Sequence, residues 1–259
     1  MKLLSIVIPY YNRRQLLLNT LKSINNFRGD YPIEIIIVDD GSDVQHRLND
    51  ITTLFPYLNI NLIFIEREND HWRGPCMAYN TGFNAAKGDV VLINSSECIH
   101  AGDIIGYVFS HLESNMYLNF SAFMGDTPTN IKLNKINWVG NIDEQIRDII
   151  SLAFKREWGC HSTIGNFIPY CAAINRKDLE TLSGYDERFV EGIGFDDYDF
   201  TDRIYNLGLN TIAVDNPFCI HQYHPTTVYS NSINLDFLWY LRDNFPKRIK
   251  PEKNKIYVR

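Results

Sequence analysis

The sequence predicts an α/β fold: a Rossmann-like, mostly parallel sheet with helices on both faces, in a single domain. Three observations carry that expectation. Short, continuously apolar and β-branched runs recur, as in strands buried on both faces. Segments with apolar residues at helical spacing alternate with them, and the runs end in polar clusters, where open α/β sheets bind ligands. With 259 residues, 45% of them hydrophobic, the chain can fill a sizeable core.

Residues 3–9 form the first apolar run, closed by Pro9. Asn12 then reads as the cap of a helix with Leu16, Leu17, Thr20, Leu21 and Ile24 on one side, ended by residues 29–32. Residues 33–38 repeat the buried-strand signature and run into Asp39-Asp40-Gly41-Ser42, which taken alone is a turn with capping acids. A helix through Leu48, Ile51, Leu54 and Phe55 leads to a third strand at 61–66. Arg73-Gly74-Pro75 opens a helix through Met77, Ala78, Gly82, Phe83 and Ala86, and Gly88-Asp89 turns into a fourth strand at 90–93. Four strand–helix units in succession predict a parallel half. The fourth strand ends in Asn94-Ser95-Ser96-Glu97, a second polar cluster expected to share one crevice with the first.

A helix through Ile105, Val108 and Leu112 follows, and residues 118–158, with weaker periodicity, read as loops and an excursion. Residues 166–174 predict a strand returning to the sheet. In the stretch from Glu191 to Arg203, the carboxylates Asp196, Asp197 and Asp199 precede Phe200, Ile204 and Leu207 at i, i+4 and i+7, the mark of a helix with an acidic first turn. Two readings stay open. Asp196 as N-cap with Asp199 three residues on is an ordinary capping arrangement; an acid–base site would also give Asp197 a task and explain the two glycines of Gly192-Ile193-Gly194. Residues 210–214 then predict a short strand before Cys219-Ile220-His221-Gln222-Tyr223-His224-Pro225.

The net charge of −6 and the lack of a basic stripe across the body argue against a nucleic-acid partner. The exception is Lys247, Arg248, Lys250, Lys253, Lys255 and Arg259 against Glu252, following Phe237, Trp239 and Tyr240. This C-terminal helix and basic tail, 231–259, reads either as a solvated tail or as a peripheral contact with anionic lipid. Five cysteines without a CxxC spacing predict reduced thiols and a cytoplasmic setting. No run reaches the ~18 apolar residues of a membrane span, and Met1-Lys2 leads into a strand where a signal peptide would need a longer apolar region.

Four pieces, over roughly residues 3–224, resemble the inverting family 2 glycosyltransferases of the GT-A fold. They are Ser5-Ile-Val-Ile-Pro-Tyr-Tyr-Asn12; Ile35-Ile-Ile-Val-Asp-Asp-Gly-Ser42; Gly74-Pro-Cys-Met-Ala-Tyr-Asn-Thr-Gly82 with Lys87-Gly-Asp89; and Gly184-Tyr-Asp-Glu-Arg-Phe189 through Asp196-Asp-Tyr-Asp-Phe200. The resemblance implies a nucleotide-sugar-binding half at 1–100 and an acceptor-binding, catalytic half at 101–230 of the same domain. It implies a nucleotide-sugar donor, with UDP favoured, whose base is lined by Pro9 and Tyr11 and whose uracil N–H is taken by Asp39 or Asp40. Arg73 is implied on the pyrophosphate, against a solvated arginine.

The family's metal-binding DxD motif falls on Asn94-Ser95-Ser96-Glu97, so Glu97 is the anionic ligand left to hold a divalent cation. One carboxylate can suffice beside phosphate oxygens and water. The resemblance points to a histidine beyond the acidic helix as a second ligand, His221 or His224, which favours Mn²⁺ over Mg²⁺; aromatic packing is the competing reading of this pair. Asp197 matches the general base and Asp196 a residue binding acceptor hydroxyls, with Asp199 left to cap the helix. At a helix N-terminus the Asp197 carboxyl is expected to be pulled down. The acceptor, whether glycan, lipid-linked or protein, is expected near Trp158 and His161, which read equally as core aromatics. The rival functions are a non-catalytic sugar-nucleotide-binding protein, because the DxD is eroded, and a nucleotidyltransferase, against which Tyr10-Tyr-Asn-Arg-Arg14 offers no glycine-rich phosphate loop.

Overall fold

The computed structural model describes residues 2–67, 73–138, 140–153, 157–225 and 232–251. The first half alternates as predicted: β1 (Leu4–Tyr10), α1 (Arg14–Phe27), β2 (Ile33–Asp39), a short α2 (Ile51–Leu54), β3 (Ile60–Phe64), α3 (Cys76–Ala85) and β4 (Val90–Asn94). The four strands are parallel, in the order β3-β2-β1-β4. Alternate β1 side chains explain why the run is continuously apolar. Ile6 and Ile8 pack with Leu17, Leu21 and Ile24 of α1, while Val7 packs on the opposite face with Ala78 and Tyr79 of α3. The approach of α3 needs Gly82, since a Cβ there would stand 2.3 Å from a Val7 methyl.

The second half continues with β5 (Cys98–Ala101), α4 (Ile104–His111), β6 (Met116–Met124), α5 (Thr127–Leu133), α6 (Ile142–Ser151), β7 (Glu157–Cys160), β8 (Cys171–Asn175), α7 (Arg176–Leu182), α8 (Asp196–Leu207), β9 (Asn210–His221) and α9 (Ser232–Asn244). The sheet runs on from β4 through β8, β6 and β9 to β5, with β7 paired to β6. β8 is antiparallel to both β4 and β6, whereas β6 and β9 are parallel.

Three expectations are corrected. Residues 118–158 hold a buried strand, β6, and two helices instead of an excursion of loops. The period is hidden because Asn119 and Ser121 are polar yet buried. Asn119 Nδ2 donates to the Phe167 and Ile168 carbonyls at 3.2 and 3.1 Å, and Ser121 Oγ donates to Asp215 at 2.6 Å, so both are satisfied inside. The strand predicted at 210–214 extends to His221, because its partner β6 offers a register from Asn210 opposite Met116 to His221 opposite Met124. Asn12 does not cap α1. It sits at φ 53°, receives no helical N–H, and ties the end of β1 to the end of β2 through Ser42 and Asp43.

A buried ionic cluster fixes α8. Arg203 donates through Nε to Asp199 at 2.9 Å and through Nη1 to the carbonyls of Leu182 and Gly184 at 2.9 and 2.8 Å. Arg248, beyond α9, reaches Asp199 as well and lies 3.3 Å from Asp186. Arg248 is therefore part of the interior and not of a free basic tail, while Glu252, Lys253, Lys255 and Arg259 lie outside the described residues. No described helix is long and apolar enough to cross a membrane. All five cysteines are free and buried.

Removing one partner of a buried, hydrogen-bonded ion pair strands the other charge. Arg203→Leu should lower the unfolding free energy in urea by about 3–5 kcal/mol. A loss under about 1 kcal/mol, the level of surface pairs, would show that the cluster does not hold the fold.

Candidate functional site

The carboxyl ends of β1, β2 and β4 open onto one cleft of about 140 Å³, lined among others by Pro9, Tyr11, Asp40, Arg73, Tyr79 and Glu97. The two polar clusters thus converge on one crevice. Of the two aspartates at the end of β2, Asp40 faces it and Asp39 does not. Asp39 is buried, accepts the Ser42 N–H at 2.9 Å, and burial pushes its carboxyl up against the hydrogen bonds from Ser42. Asp40 pairs with Arg67 at 2.8 Å and with Arg73. Arg67, absent from the sequence-based candidates, also lies over the Tyr11 ring, 3.8 Å from its centroid.

At the other wall, Glu97 sits between β4 and β5, and the last residue of β9, His221, and the segment after it, with His224, come to it. The Nε2 atoms of these histidines lie 3.5 and 3.3 Å from Glu97 Oε1. One ligand atom from each residue falls within 4.8 Å of the others. A carboxylate and two imidazoles in a buried corner are a donor set that fits a divalent transition metal. Burial alone would raise the Glu97 carboxyl, but hydrogen bonds from His221 and His224 and the charge of Arg13 outweigh it and hold it well below the ordinary carboxylate range. Arg13, another residue missed from sequence, donates to Glu97 Oε1 at 2.6 Å, and Ser96 Oγ donates to Oε2 at 2.6 Å.

The acidic helix joins the cleft through two rings. Tyr79 lines the cleft and stacks on Tyr185 at 4.9 Å, and the Tyr185 hydroxyl donates to Asp197 at 3.1 Å. Neither tyrosine was a sequence-based candidate; aromatic residues inside apolar stripes carry no signal that separates core from site. The capping reading of the acids is overturned. The N-cap of α8 is Phe195, at φ 66°, with no side-chain cap, and Asp199 is spent on Arg203 and Arg248. Asp196 turns inward to the Cys76 thiol at 3.6 Å. The two glycines have different reasons: a Cβ on Gly192 would meet Asn234 of α9 at 2.5 Å, whereas Gly194 has open space around it but sits at φ 71°; Asn234 Nδ2 donates to the carbonyls of Phe189 and Gly194.

The expected depression of the Asp197 carboxyl is overturned too. Burial, then the charge of Asp196, push it well above the ordinary carboxylate range, with only the Tyr185 hydrogen bond pulling the other way. Burial likewise raises Asp196. The helix end cannot prevail, because the desolvation of two adjacent carboxylates exceeds the fraction of a charge that the first turn presents.

Trp158 and His161 stand elsewhere. They line a separate cleft of about 780 Å³ with Asp103, Asp143 and Asp215. Trp158 packs edge-on against Phe123 and Phe218 at 5.6 and 5.5 Å, and His161 Nε2 lies 3.6 Å from Asp215. None of the residues lining this cleft lines the one that holds Glu97.

The model of glycosyl transferase family 2 matches residues 5–183. The uncharacterized glycosyltransferase YfnE of Bacillus subtilis (strain 168) is 24% identical over 268 residues, which cover 87% of this chain and 66% of YfnE. Chondroitin synthase of Escherichia coli is 26% identical over 246 residues, 86% of this chain and 35% of the synthase. The chain thus spans just under two thirds of the first relative and about a third of the second. Among solved structures, the mannosyltransferase PcManGT from Pyrobaculum calidifontis, in complex with GDP-Man and Mn²⁺, has a TM-score of 0.55 at 20% identity, over 84% of this chain and 56% of that one. S. aureus TarS 1-349 in complex with UDP-GlcNAc has a TM-score of 0.61 at 15% identity, over 94% of this chain and 67% of that one. The fold is of the GT-A type.

A raised carboxyl binds its proton more tightly in the folded chain than in the unfolded one. Asp197 therefore favours folding at low pH, and that contribution is lost as pH rises through its folded value. Asp197→Asn should raise the melting temperature at pH 7, corresponding to about 1.4 kcal/mol for each unit of elevation, and the gain should vanish near pH 4. A melting temperature unchanged at both pH values would show that the Asp197 carboxyl is not raised.

Proposed function

The chain belongs to glycosyl transferase family 2, and on that premise we propose that it moves a sugar from a nucleotide diphosphate donor, a UDP-sugar by preference, to a hydroxyl acceptor with inversion. The observation that carries this reading is geometric: the ligand atoms of Glu97, His221 and His224 lie within 4.8 Å of one another, and Glu97 lines the same cleft as Pro9, Tyr11, Asp40 and Arg73. Asp197, tied to that cleft through Tyr185 and Tyr79 and raised by burial and the charge of Asp196, is the matching base.

In the proposed reaction the nucleotide base lies against Pro9 and Tyr11, with Asp40 rather than Asp39 facing its N–H. Arg67 and Arg73 border the same cleft and present cationic groups to the donor. Glu97, His221 and His224 would hold a divalent cation, which supplies positive charge opposite the diphosphate as it leaves. Asp197 accepts the proton of the acceptor hydroxyl while the acceptor oxygen bonds the anomeric carbon and the bond from that carbon to the diphosphate oxygen breaks. The proton ends on Asp197 and the electron pair on the nucleoside diphosphate, and attack on the face opposite the leaving diphosphate inverts the anomeric centre. A raised pKa makes Asp197 a stronger base than an exposed aspartate, at the cost of being protonated at mildly acidic pH.

Asp197→Asn keeps size and hydrogen bonding but cannot take the proton. Transfer to a surrogate acceptor should fall by about 10² to 10⁴-fold while UDP affinity is kept. Transfer at the wild-type rate would dismiss Asp197 as the base, and donor binding with no transfer in the wild type would favour a binding module.

Activity should be present above the Asp197 pKa and lost below it. Because the charge of Asp196 helps raise that value, Asp196→Asn should move the acidic limb of the kcat/KM profile to lower pH. A limb that stays in place would separate the two carboxylates.

A further inference from the structure

Arg13 holds the carboxylate that a cation would need. Its Nη1 lies 2.6 Å from Glu97 Oε1, the same oxygen that stands 3.3 Å from His224 Nε2 and 3.5 Å from His221 Nε2. The second oxygen, Oε2, accepts from Ser96 at 2.6 Å. A divalent ion shared by Glu97, His221 and His224 therefore takes up Oε1, and a guanidinium on that atom becomes a positive charge in its immediate neighbourhood. Arg13 has room to leave: its side chain is 31% exposed and lines the cleft with Pro9 and Tyr11, whereas that of Glu97 is 9% exposed. The other two arginines of the cleft, Arg67 and Arg73, share the carboxylate of Asp40.

We propose that Arg13 is an exchangeable counter-ion, which neutralises Glu97 until a divalent cation replaces it and then turns to the anionic diphosphate in the same cleft. The proposal rests on the reading of Glu97, His221 and His224 as cation ligands. Its consequence is that cation and nucleotide bind cooperatively, because each releases Arg13 to the other's advantage, and such coupling is reciprocal. It also accounts for a site with one carboxylate: without a cation, a second acid would leave net negative charge buried, while Glu97 alone is balanced by one arginine.

The test is calorimetric titration of Mn²⁺ alone, of UDP alone, and of UDP with saturating Mn²⁺, on the wild type, Arg13→Gln, Arg13→Lys and Glu97→Ala. Arg13→Gln should bind Mn²⁺ alone about tenfold more tightly, and the factor by which Mn²⁺ tightens UDP should shrink by about tenfold, within the usual span of coupling between two ligands. Arg13→Lys, which keeps the charge, should resemble the wild type, so a purely structural role for the guanidinium would not reproduce the pattern. If Glu97→Ala abolishes Mn²⁺ binding and Arg13→Gln leaves it unchanged or weaker, the counter-ion role is wrong while the metal reading stands. If Glu97→Ala binds Mn²⁺ as the wild type does, the metal reading falls and the counter-ion role with it.

Discussion

The structure depends on one buried interaction, the grip of Arg203 on Asp199 and on the carbonyls of Leu182 and Gly184. Burial pushes the Arg203 guanidinium down to about 10, still high enough to stay charged at neutral pH. Arg248 closes the same cluster from beyond α9, with Asp186 as its second partner. Buried charges are costly unless every one is paired. The cost of leaving Asp199 alone therefore locks the rotation of α8, and with it the direction in which the first turn presents Asp196 and Asp197. Exposed pairs such as Arg14 with Asp50 and Arg176 with Glu180 do no such positioning, since solvent screening leaves them worth little.

From that fixed helix the electrostatics of the crevice follow. Asp197 receives one hydroxyl hydrogen bond and faces a like charge, whereas Glu97 receives an arginine, a serine and two histidines. The same functional group is thus driven in opposite directions by what surrounds it. Tyr79 stands between the two. Burial raises its phenol, and the charges of Asp197 and Glu97 both add to that rise.

How much of this was legible in the chain differs between its halves. β1, β2 and β4 are buried on both faces, so each reads as a nearly continuous apolar run, while β3 is a half-exposed strand at the sheet edge; their parallel order follows from the helices between them. β6 escaped because Asn119 and Ser121 break its run, and their partners are 48 and 94 residues away. Metal-type ligands were legible as residue kinds: Glu97 closes a strand-end cluster, and His221 and His224 follow the acidic helix. Arg13 and Arg67 were not, since an arginine after a strand looks the same whether it meets water or a carboxylate 84 residues away.

The sequence by itself determined the alternation of strand and helix, the two polar clusters at strand ends and the acidic first turn of α8, because each is set by a local period or a local backbone need. Tertiary structure decided which acid does what. Asp199 became a core partner instead of a cap, Asp40 instead of Asp39 faced the cleft, and Trp158 and His161 went to a different one. The reason is physical: a carboxylate's role depends on its desolvation and its charged neighbours, and both are fixed by residues that only the folded chain brings within reach.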